Sequence, residues 1–396
     1  MKRTLRKSIL SPKQPLDLEA LRANWLARAA EHGFGPRQRA AVLGRHGWQQ
    51  PTAADCQAIA QRLVSPDGLT ATRSSFTDTD AIQAWCQALP DGAPADRILA
   101  TARAFAQLPA VTPIDACEPG AGFPRSFTTA ELVAVEQHAL SLARGDLRSD
   151  RLVLGPGRVR SLLAERRPDL SGEQAAMVSR VAASSERVVC VVGPAGSGKT
   201  TATAALHDLL RHAGVPVIGA APSGIAAETL QNATGIRSTT LHRLLADADQ
   251  GRGLPPGCVL VVDEAGMADT RTLTRILERV READAKLVLI GDPCQLGAVG
   301  PGGLYPALCD TLDAITLTAN QRQHDPAERT ALAALRDHDP DRYLAWAAGQ
   351  GRLVACDDAL EARGALLADW AAHTLQQPDS AAVMTGVPPL PWTGWG

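Results

Sequence analysis

The chain has 396 residues, which is enough for two or three domains of ordinary size. Its formal net charge is −2, so any contact with nucleic acid would use a local basic groove and not a uniformly basic surface. The eight cysteines are scattered singly, without a C-x-x-C pair, which argues against a zinc site or a disulfide framework and favours a reducing compartment.

The chain begins with a basic segment that is followed by Ser-Pro-Lys-Gln-Pro and not by an apolar run. This pattern excludes a secretory signal, and the sequence has no apolar run of about eighteen residues that would cross a bilayer. A solvated tail is favoured over a basic arm on nucleic acid. We therefore predict a cytoplasmic protein without a membrane segment.

Residues 17–110 are rich in Ala, Leu and Arg, with helical periodicity broken at Gly- and Pro-containing turns. Thr77 precedes an apolar-periodic stretch and is expected to cap a helix. The segment 126–132 likewise resembles an N-cap and is expected to open a helix that contains Leu132, Val135 and Leu140. Residues 1–165 are predicted to form a mainly helical region, and no residue pattern in this region indicates chemistry.

The pattern sharpens at residues 187–201, where an apolar run leads into G-x-x-x-x-G-K-T and then into a helical stretch. In this order the loop and the helix start bind phosphate through backbone N–H groups. Lys199 is expected to contact the β- and γ-phosphates of ATP, and the Thr200 hydroxyl is expected to bind Mg²⁺. The predicted ATP-binding residues of the loop are Gly193, Pro194, Ala195, Gly196, Ser197, Gly198, Lys199, Thr200 and Thr201.

Strands and helices then alternate. Strands are predicted at 215–220, 258–262, 286–290 and 314–317, and helices at 223–233, 239–246 and 270–281. This alternation predicts an α/β fold with a doubly wound parallel sheet.

The strand at 258–262 ends in two carboxylates. At the carboxyl end of a parallel strand, Asp263 is placed to hold Mg²⁺, and Glu264 is placed to take a proton from the attacking water. Taken alone, such a pair usually marks a solvated turn. Its position after a phosphate loop favours the catalytic interpretation.

A third strand end carries Gln295, which is a candidate contact to the γ-phosphate or its water. The alternative here is a simple turn at residues 291–293. Farther along the chain, Arg322 is a candidate arginine finger, with an ordinary surface arginine as the alternative.

Two helix starts offer small hydroxyls and free N–H groups that suit the phosphate backbone of DNA. Plain N-capping explains them equally well, and His242 alone is better explained by capping or packing. The candidate DNA contacts are Pro222, Ser223, Gly224, Thr239, Thr240 and His242.

Together these motifs resemble those of a superfamily 1 DNA helicase of the RecD/TraA type. The segment around Gln174 resembles the adenine-binding Q motif, and Asn-Gln-Arg-Gln at 320–323 resembles motif IV. The resemblance implies a P-loop NTPase with a first RecA-like domain at 166–312 and the start of a second at 313–396. It also implies ATP and Mg²⁺ as cofactors and single-stranded DNA as a partner.

Ile225 stands where RecD-like chains usually have Lys, so the chain looks most like the TraA branch of conjugative relaxase-helicases. Segments 69–77 and 125–132 resemble the connection between relaxase and helicase. That branch implies 5′ to 3′ unwinding and contact with the conjugation machinery.

The resemblance is partial at both ends of the chain. The first tyrosine is Tyr305, inside the helicase region, so no nicking activity is expected. Residues 381–385 resemble an early strand of the second domain, and the Pro-rich tail after them cannot easily continue a sheet. We therefore expect a fragment that binds ATP and hydrolyses it weakly.

Two alternatives remain open. One is a RecD-like repair helicase subunit. The other is a non-enzymatic module that binds DNA or a partner and keeps a relic nucleotide site.

Overall fold

The computed structural model describes residues 18–42, 51–89, 92–114, 126–148, 150–319, 323 and 325–376. The chain divides into two compact units, residues 1–135 and 136–396. The domain boundaries at 165 and 312 stay predictions. Within the described residues, no helix has both the length and the apolar character needed to cross a bilayer.

The first unit is mainly helical, as predicted, with a small sheet that the sequence did not suggest. Its elements are α1 (Leu18–Glu31), α2 (Pro36–Val42), α3 (Ala53–Val64), β1 (Phe76–Thr77), α4 (Asp78–Ala88), α5 (Ala95–Phe105), β2 (Val111–Pro113), β3 (Ser126–Thr129) and α6 (Ala130–Ala143), whose last residues belong to the second unit. Thr77 caps α4 through a hydrogen bond from the Asp80 N–H, which confirms the predicted helix start.

The helix predicted to open within residues 126–132 is confirmed, since α6 begins at Ala130 and the Thr129 hydroxyl accepts from the Leu132 N–H at 3.2 Å. Residues 126–129 form β3, the central strand of an antiparallel sheet with the order β1-β3-β2. Phe127 is buried, and its ring stacks on Phe76 at 5.8 Å between centroids. Strand pairing on both sides, together with this aromatic contact, holds residues 126–129 in the sheet, so the helix begins only at Ala130.

The core of the first unit is aromatic. Trp85 meets Phe105 edge to face at 6.1 Å, and Phe105 also lies 6.3 Å from Phe76. All three side chains are at least 98% buried. Aromatic contacts therefore supply much of the packing in a unit with few strands.

The second unit contains a six-stranded parallel sheet in the order β6-β5-β7-β8-β4-β9. Its elements are α7 (Pro156–Arg166), α8 (Gly172–Ala183), β4 (Val188–Val192), α9 (Lys199–His212), β5 (Val217–Ala221), α10 (Gly224–Thr234), β6 (Ser238–Thr240), α11 (Leu241–Asp249), β7 (Val259–Val262), α12 (Thr270–Glu282), β8 (Lys286–Gly291), α13 (Leu304–Thr311), β9 (Ile315–Thr316), α14 (Pro326–Arg336), α15 (Pro340–Gly349) and α16 (Ala359–Gln376). This sheet confirms the predicted doubly wound α/β fold.

Alternate side chains of the central strands pack on opposite faces of this sheet. Val189 and Val191 face α7, α8 and α9, whereas Val188 and Cys190 face α11, α12 and α13. Both faces are covered, which is why these strands are continuous apolar runs in the sequence. Cys190 and Cys258 are buried in this core, as expected.

One predicted element differs in this unit. Residues 239–246 were expected to form one short helix, but residues 238–240 are β6, and α11 begins only at Leu241. Ser238 pairs with Gly219 and Thr240 with Ala221, so β6 extends the sheet beyond β5.

Three of the predictions concern residues outside the described ranges. They are the basic segment at the start of the chain, Arg322, and the strand expected at 381–385.

Candidate functional site

The phosphate loop connects β4 to α9. The Gly193 N–H donates to the Gly291 carbonyl oxygen at 3.1 Å, which ties the loop to the end of β8. Gly196 and Gly198 have φ values of +83° and +82°, a left-handed backbone that costs energy for residues with a β-carbon. A β-carbon at Gly193 would collide with the Ser197 hydroxyl. The loop therefore depends on glycine at three positions.

The loop and the start of α9 leave polar groups without acceptors. Gly198 is the N-cap of α9, and no side chain makes a capping hydrogen bond there. Ser197 is 2% exposed, and among the described residues its hydroxyl has no hydrogen-bond partner. Free N–H groups at a helix start and an unpaired hydroxyl match the oxygens of a phosphate group. The loop therefore fits the phosphates of a nucleotide.

Lys199 lies folded over the loop. Its ammonium group donates to the carbonyl oxygens of Gly193 at 2.5 Å and Pro194 at 3.2 Å. A lysine held by weakly charged carbonyls is free to exchange these contacts for a phosphate, which is a stronger partner.

A cavity of about 640 Å³ lies over the loop. It brings together the predicted phosphate-binding and catalytic residues of three adjacent strand ends. Its lining consists of Pro194, Ala195, Gly196, Ser197, Gly198, Lys199, Thr200, Thr201, Thr229, Asp263, Glu264 and Gln295. This convergence follows from the sheet order, since β8 lies between β7 and β4 and all three strands end at the same edge.

The two carboxylates after β7 share this cavity with Thr200 and Lys199. Burial raises the pKa of Asp263 above its usual value, although Lys199 opposes the shift. Burial also raises the pKa of Glu264, and the charge of Asp263 adds to that effect. Two carboxyl groups with raised pKa values favour a nearby cation, and hydroxyl and carboxylate oxygens are the ligands that Mg²⁺ prefers. Thr200 and Asp263 therefore fit a magnesium ion.

Glu264 has a left-handed backbone, with φ of 51° and ψ of 40°. A non-glycine residue in this conformation is strained, and such strain is concentrated at functional sites. The sharp turn begins immediately after β7, where the Asp263 N–H donates to the Ala220 carbonyl oxygen at 3.0 Å. The strain thus lies at the predicted general base.

The end of β8 carries Asp292, whose side chain is 2% exposed, and Gln295, which lines the cavity. Both carboxylate oxygens of Asp292 accept hydrogen bonds from the Arg336 guanidinium, at 2.6 and 2.7 Å. Burial would raise the pKa of Asp292, but this ion pair and the N–H of Cys294 hold the pKa below its usual value. Asp292 is therefore a charged group inside the fold.

The candidate DNA contacts lie at the start of α10, in β6 and at the start of α11. Ser223 caps α10 by accepting from the Ala226 N–H at 3.1 Å, and Thr240 caps α11 by accepting from the Arg243 N–H at 3.2 Å. Ile225, beside the first cap, is 81% exposed. N-capping thus accounts for both hydroxyls, and their contact with DNA stays a prediction.

The chain is similar to several known proteins. The family model described as an AAA domain matches residues 169–358. A probable conjugal transfer protein TraA of Sinorhizobium fredii is 32% identical over 252 residues, covering 62% of this chain and 22% of that protein. The conjugal transfer protein TraA of Agrobacterium fabrum is 35% identical over 202 residues, covering 51% of this chain and 18% of that protein. An ATP-dependent RecD2 DNA helicase of Deinococcus radiodurans is 36% identical over 162 residues, covering 40% of this chain and 22% of that protein.

Residues 169–358 are an AAA-type region similar to the helicase regions of TraA- and RecD-type proteins. The chain spans about a fifth of the length of each of these three relatives.

Gln174 is not itself among the residues that line the cavity, although it contacts one of them. It is buried at the start of α8, where its side-chain oxygen accepts from the Ser171 N–H at 2.9 Å. Its amide nitrogen donates to the Gly198 carbonyl oxygen at 3.3 Å. Gln174 therefore supports the phosphate loop from behind, and its contact with adenine stays a prediction.

The sequence did not suggest three residues that adjoin this site. Thr229 lines the cavity from α10, and Arg336 reaches Asp292 from α14. The carboxylate of Glu173 accepts hydrogen bonds from the N–H groups of Thr318 at 2.8 Å and Ala319 at 3.1 Å. No local pattern marks such long-range partners, although the position of Glu173 next to Gln174 was a possible signal.

Proposed function

We propose that this AAA-type region binds Mg·ATP in the cavity over the phosphate loop and is the nucleotide-binding core of a conjugative relaxase-helicase. The observation that supports this most directly is the joint lining of one cavity by Lys199, Thr200, Asp263, Glu264 and Gln295. A relic site has no physical reason to keep all five groups around one space.

In the proposed mechanism the backbone N–H groups of 193–201 bind the phosphates, and Lys199 neutralises charge at the β- and γ-positions. Thr200 and Asp263 hold Mg²⁺, which supplies further neutralisation when bound. Glu264 accepts a proton from the attacking water, for which a raised pKa suits a base working near neutrality. Gln295 orients that water or contacts the γ-phosphate, and Gln174 contacts adenine.

Slow hydrolysis is part of the proposal. Among the described residues that line the cavity there is no arginine. An arginine finger raises phosphoryl-transfer rates by roughly 10³- to 10⁵-fold, so we expect slow hydrolysis while no arginine contacts the γ-phosphate. Arg322 is the proposed finger of this chain.

Single-stranded DNA is the proposed polymer substrate, with 5′ to 3′ translocation in the complete protein. Pro222, Ser223, Gly224, Thr239, Thr240 and His242 are the proposed contacts. They lie at the start of α10, at the end of β6 and at the start of α11, on the same edge of the sheet as the cavity. The conjugation machinery is the proposed partner, because the match to TraA of Sinorhizobium fredii extends over 252 residues, against 162 for RecD2.

A RecD-like repair helicase is the second candidate. It is favoured by the identity of 36% to RecD2, which is slightly above that to the two TraA proteins. A relaxase encoded upstream in the same reading frame would decide for the conjugative enzyme.

The test is ATP hydrolysis by the purified chain with Mg²⁺, with and without single-stranded DNA. We expect slow turnover that DNA stimulates. The Glu264→Gln variant should bind ATP and lose turnover, and Lys199→Ala should lose binding. Unchanged ATP affinity in Lys199→Ala would refute the proposed site. DNA affinity that is indifferent to ATP and to Glu264→Gln would support the non-enzymatic alternative.

A further inference from the structure

Asp292 lies between the nucleotide cavity and α14, and it contacts both sides. On the cavity side its carboxylate accepts from the Cys294 N–H at 3.1 Å and from the Gln295 side-chain amide at 3.4 Å. The Gln295 N–H also donates to the Asp292 carbonyl oxygen at 3.1 Å. These bonds set the turn that places Gln295 in the cavity lining.

On its other side Asp292 is held by Arg336, the last residue of α14. The contact is a two-pronged ion pair with distances of 2.6 and 2.7 Å. Paired geometry of this kind fixes orientation as well as distance. A shift of the Asp292 turn therefore displaces the end of α14, and a shift of α14 displaces the turn.

Helices α14 and α15 form a helical hairpin with its own contacts. Arg352, just after α15, pairs with Glu328 on α14 at 3.0 Å and lies over the Trp346 ring at 4.9 Å. Ala331 and Ala334 on α14 and Ala347 on α15 are buried. Because these contacts join the two helices, we expect the hairpin to move as one body. A displacement of Arg336 at the end of α14 would then also displace α15.

We propose that Arg336 is a positioning residue that couples the γ-phosphate end of the cavity to the α14–α15 hairpin through Asp292 and the Gln295 turn. This inference rests on the proposed function, since it requires nucleotide in the cavity. Arg336 itself is not among the residues that line the cavity. Replacing Arg336 should therefore leave the affinity for nucleotide unchanged and reduce the response of the α14–α15 hairpin to bound nucleotide.

The experiment is hydrogen–deuterium exchange of the full chain with and without Mg²⁺ and a non-hydrolysable ATP analogue. In the wild-type chain we expect the analogue to change exchange within residues 326–349 by about fivefold or more, which is the lower range of ordinary coupling between sites. In Arg336→Gln we expect similar affinity for the analogue and no such change. Arg336→Lys keeps the positive charge but cannot donate two parallel hydrogen bonds to the Asp292 carboxylate, so it should retain part of the response.

Two further variants control for folding and for charge. Arg336→Gln leaves Asp292 buried without a counter-ion, which by itself can destabilise the fold. The double variant Asp292→Asn with Arg336→Gln removes both charges and should lose the response while remaining folded. Arg329→Gln removes an exposed arginine from the same helix and should respond as the wild type does.

The outcomes separate the two proposals. An analogue that binds without changing exchange in residues 326–349 overturns the coupling and leaves the proposed function intact. A full response in folded Arg336→Gln also overturns the coupling. Failure of the wild-type chain to bind the analogue overturns the proposed function, and the coupling with it.

Discussion

The Lys286 ammonium group lies 2.7 Å from the carbonyl oxygen of Val181, at the end of the sheet opposite the nucleotide cavity. It also donates to the Ser184 carbonyl oxygen at 2.6 Å, and the residue is only 1% exposed. Burial lowers its pKa to about 8 from the usual 10.5. The hydrogen bonds that this buried lysine donates go to carbonyl oxygens. Because its pKa is lowered, the free energy of unfolding of this unit should change with pH in the alkaline range.

The sign of this dependence follows from proton binding. Between about pH 8 and 10.5 the unfolded lysine keeps its proton while the folded one loses it, so raising the pH disfavours unfolding. We predict that the free energy of unfolding of the wild type, relative to Lys286→Met, rises across this window by up to about 3 kcal/mol. The two carbonyl contacts favour the charged form and limit the gain. Urea unfolding of both proteins at several pH values measures it, and a constant difference contradicts the prediction.

Gly193→Ala should weaken nucleotide binding. The added carbon would collide with the Ser197 hydroxyl and press on Lys199 and Leu317, so the loop must open at a cost of about 1–3 kcal/mol. We expect about a fivefold or greater loss of affinity for a fluorescent ATP analogue, since about 1.4 kcal/mol corresponds to tenfold.

Gly172→Ala is the matched control for this change. It lies at the start of α8, and a β-carbon there meets nothing within 4 Å. Affinity should stay unchanged, and stability should rise by up to about 1 kcal/mol, because alanine restricts the unfolded chain. Equal losses of affinity in the two variants would show that the space around Gly193 is not what limits binding.

Glu264 offers a test of backbone strain that is separate from catalysis. Because its φ is +51°, glycine should suit the position better than alanine does. Both Glu264→Gly and Glu264→Ala remove the carboxylate and should abolish hydrolysis. The free energy of unfolding of the glycine variant should exceed that of the alanine variant by about 1 kcal/mol. This order of stability is the reverse of the one expected in a helix. An alanine variant as stable as the glycine variant would mean that the turn relaxes without penalty.

Ser223→Asp separates the two roles assigned to the α10 start. Aspartate is as good an N-cap as serine, so stability should be unchanged. Its negative charge should repel a DNA phosphate and weaken binding of single-stranded DNA by roughly fivefold, or about 1 kcal/mol. The affinity is measured by fluorescence anisotropy at fixed salt. Thr52→Asp makes the same kind of change at the exposed cap of α3 and should leave DNA affinity unaltered. Ser223→Asp that binds DNA normally would leave capping as the only role of this hydroxyl.

The sequence predicted the parts of the site that follow buried strands. Val188 to Val192 and Val259 to Val262 are apolar runs because both faces of the sheet are covered, and each run ends at the edge where ligands bind. For this reason the sequence alone predicts that the phosphate loop, Asp263, Glu264 and Gln295 lie together at one edge of the sheet.

What the sequence could not predict depends on contacts between distant residues. Asp292 and Arg336 lie in separate segments, and neither segment alone indicates an ion pair. Strand β6 has only three residues, and its Ser-Thr-Thr sequence also suits the start of the next helix, so its pairing with β5 was missed. Strand β3, which precedes α6, was not predicted for a related reason, since strand pairing and the packing of Phe127 against Phe76 decide that segment.

The aromatic residues that pack the first unit and the hairpin have an optical consequence. Tryptophan occurs at positions 25, 48, 85, 346, 370, 392 and 395, so the stretch from 86 to 345, which includes the whole parallel sheet, contains none. Selective excitation of indole therefore gives no emission from residues of the parallel sheet or of the cavity. Within the described residues of the second unit, the emitters are Trp346, stacked under Arg352, and Trp370. A change in tryptophan emission on adding ATP would thus be a signal from outside the pocket that receives the ligand.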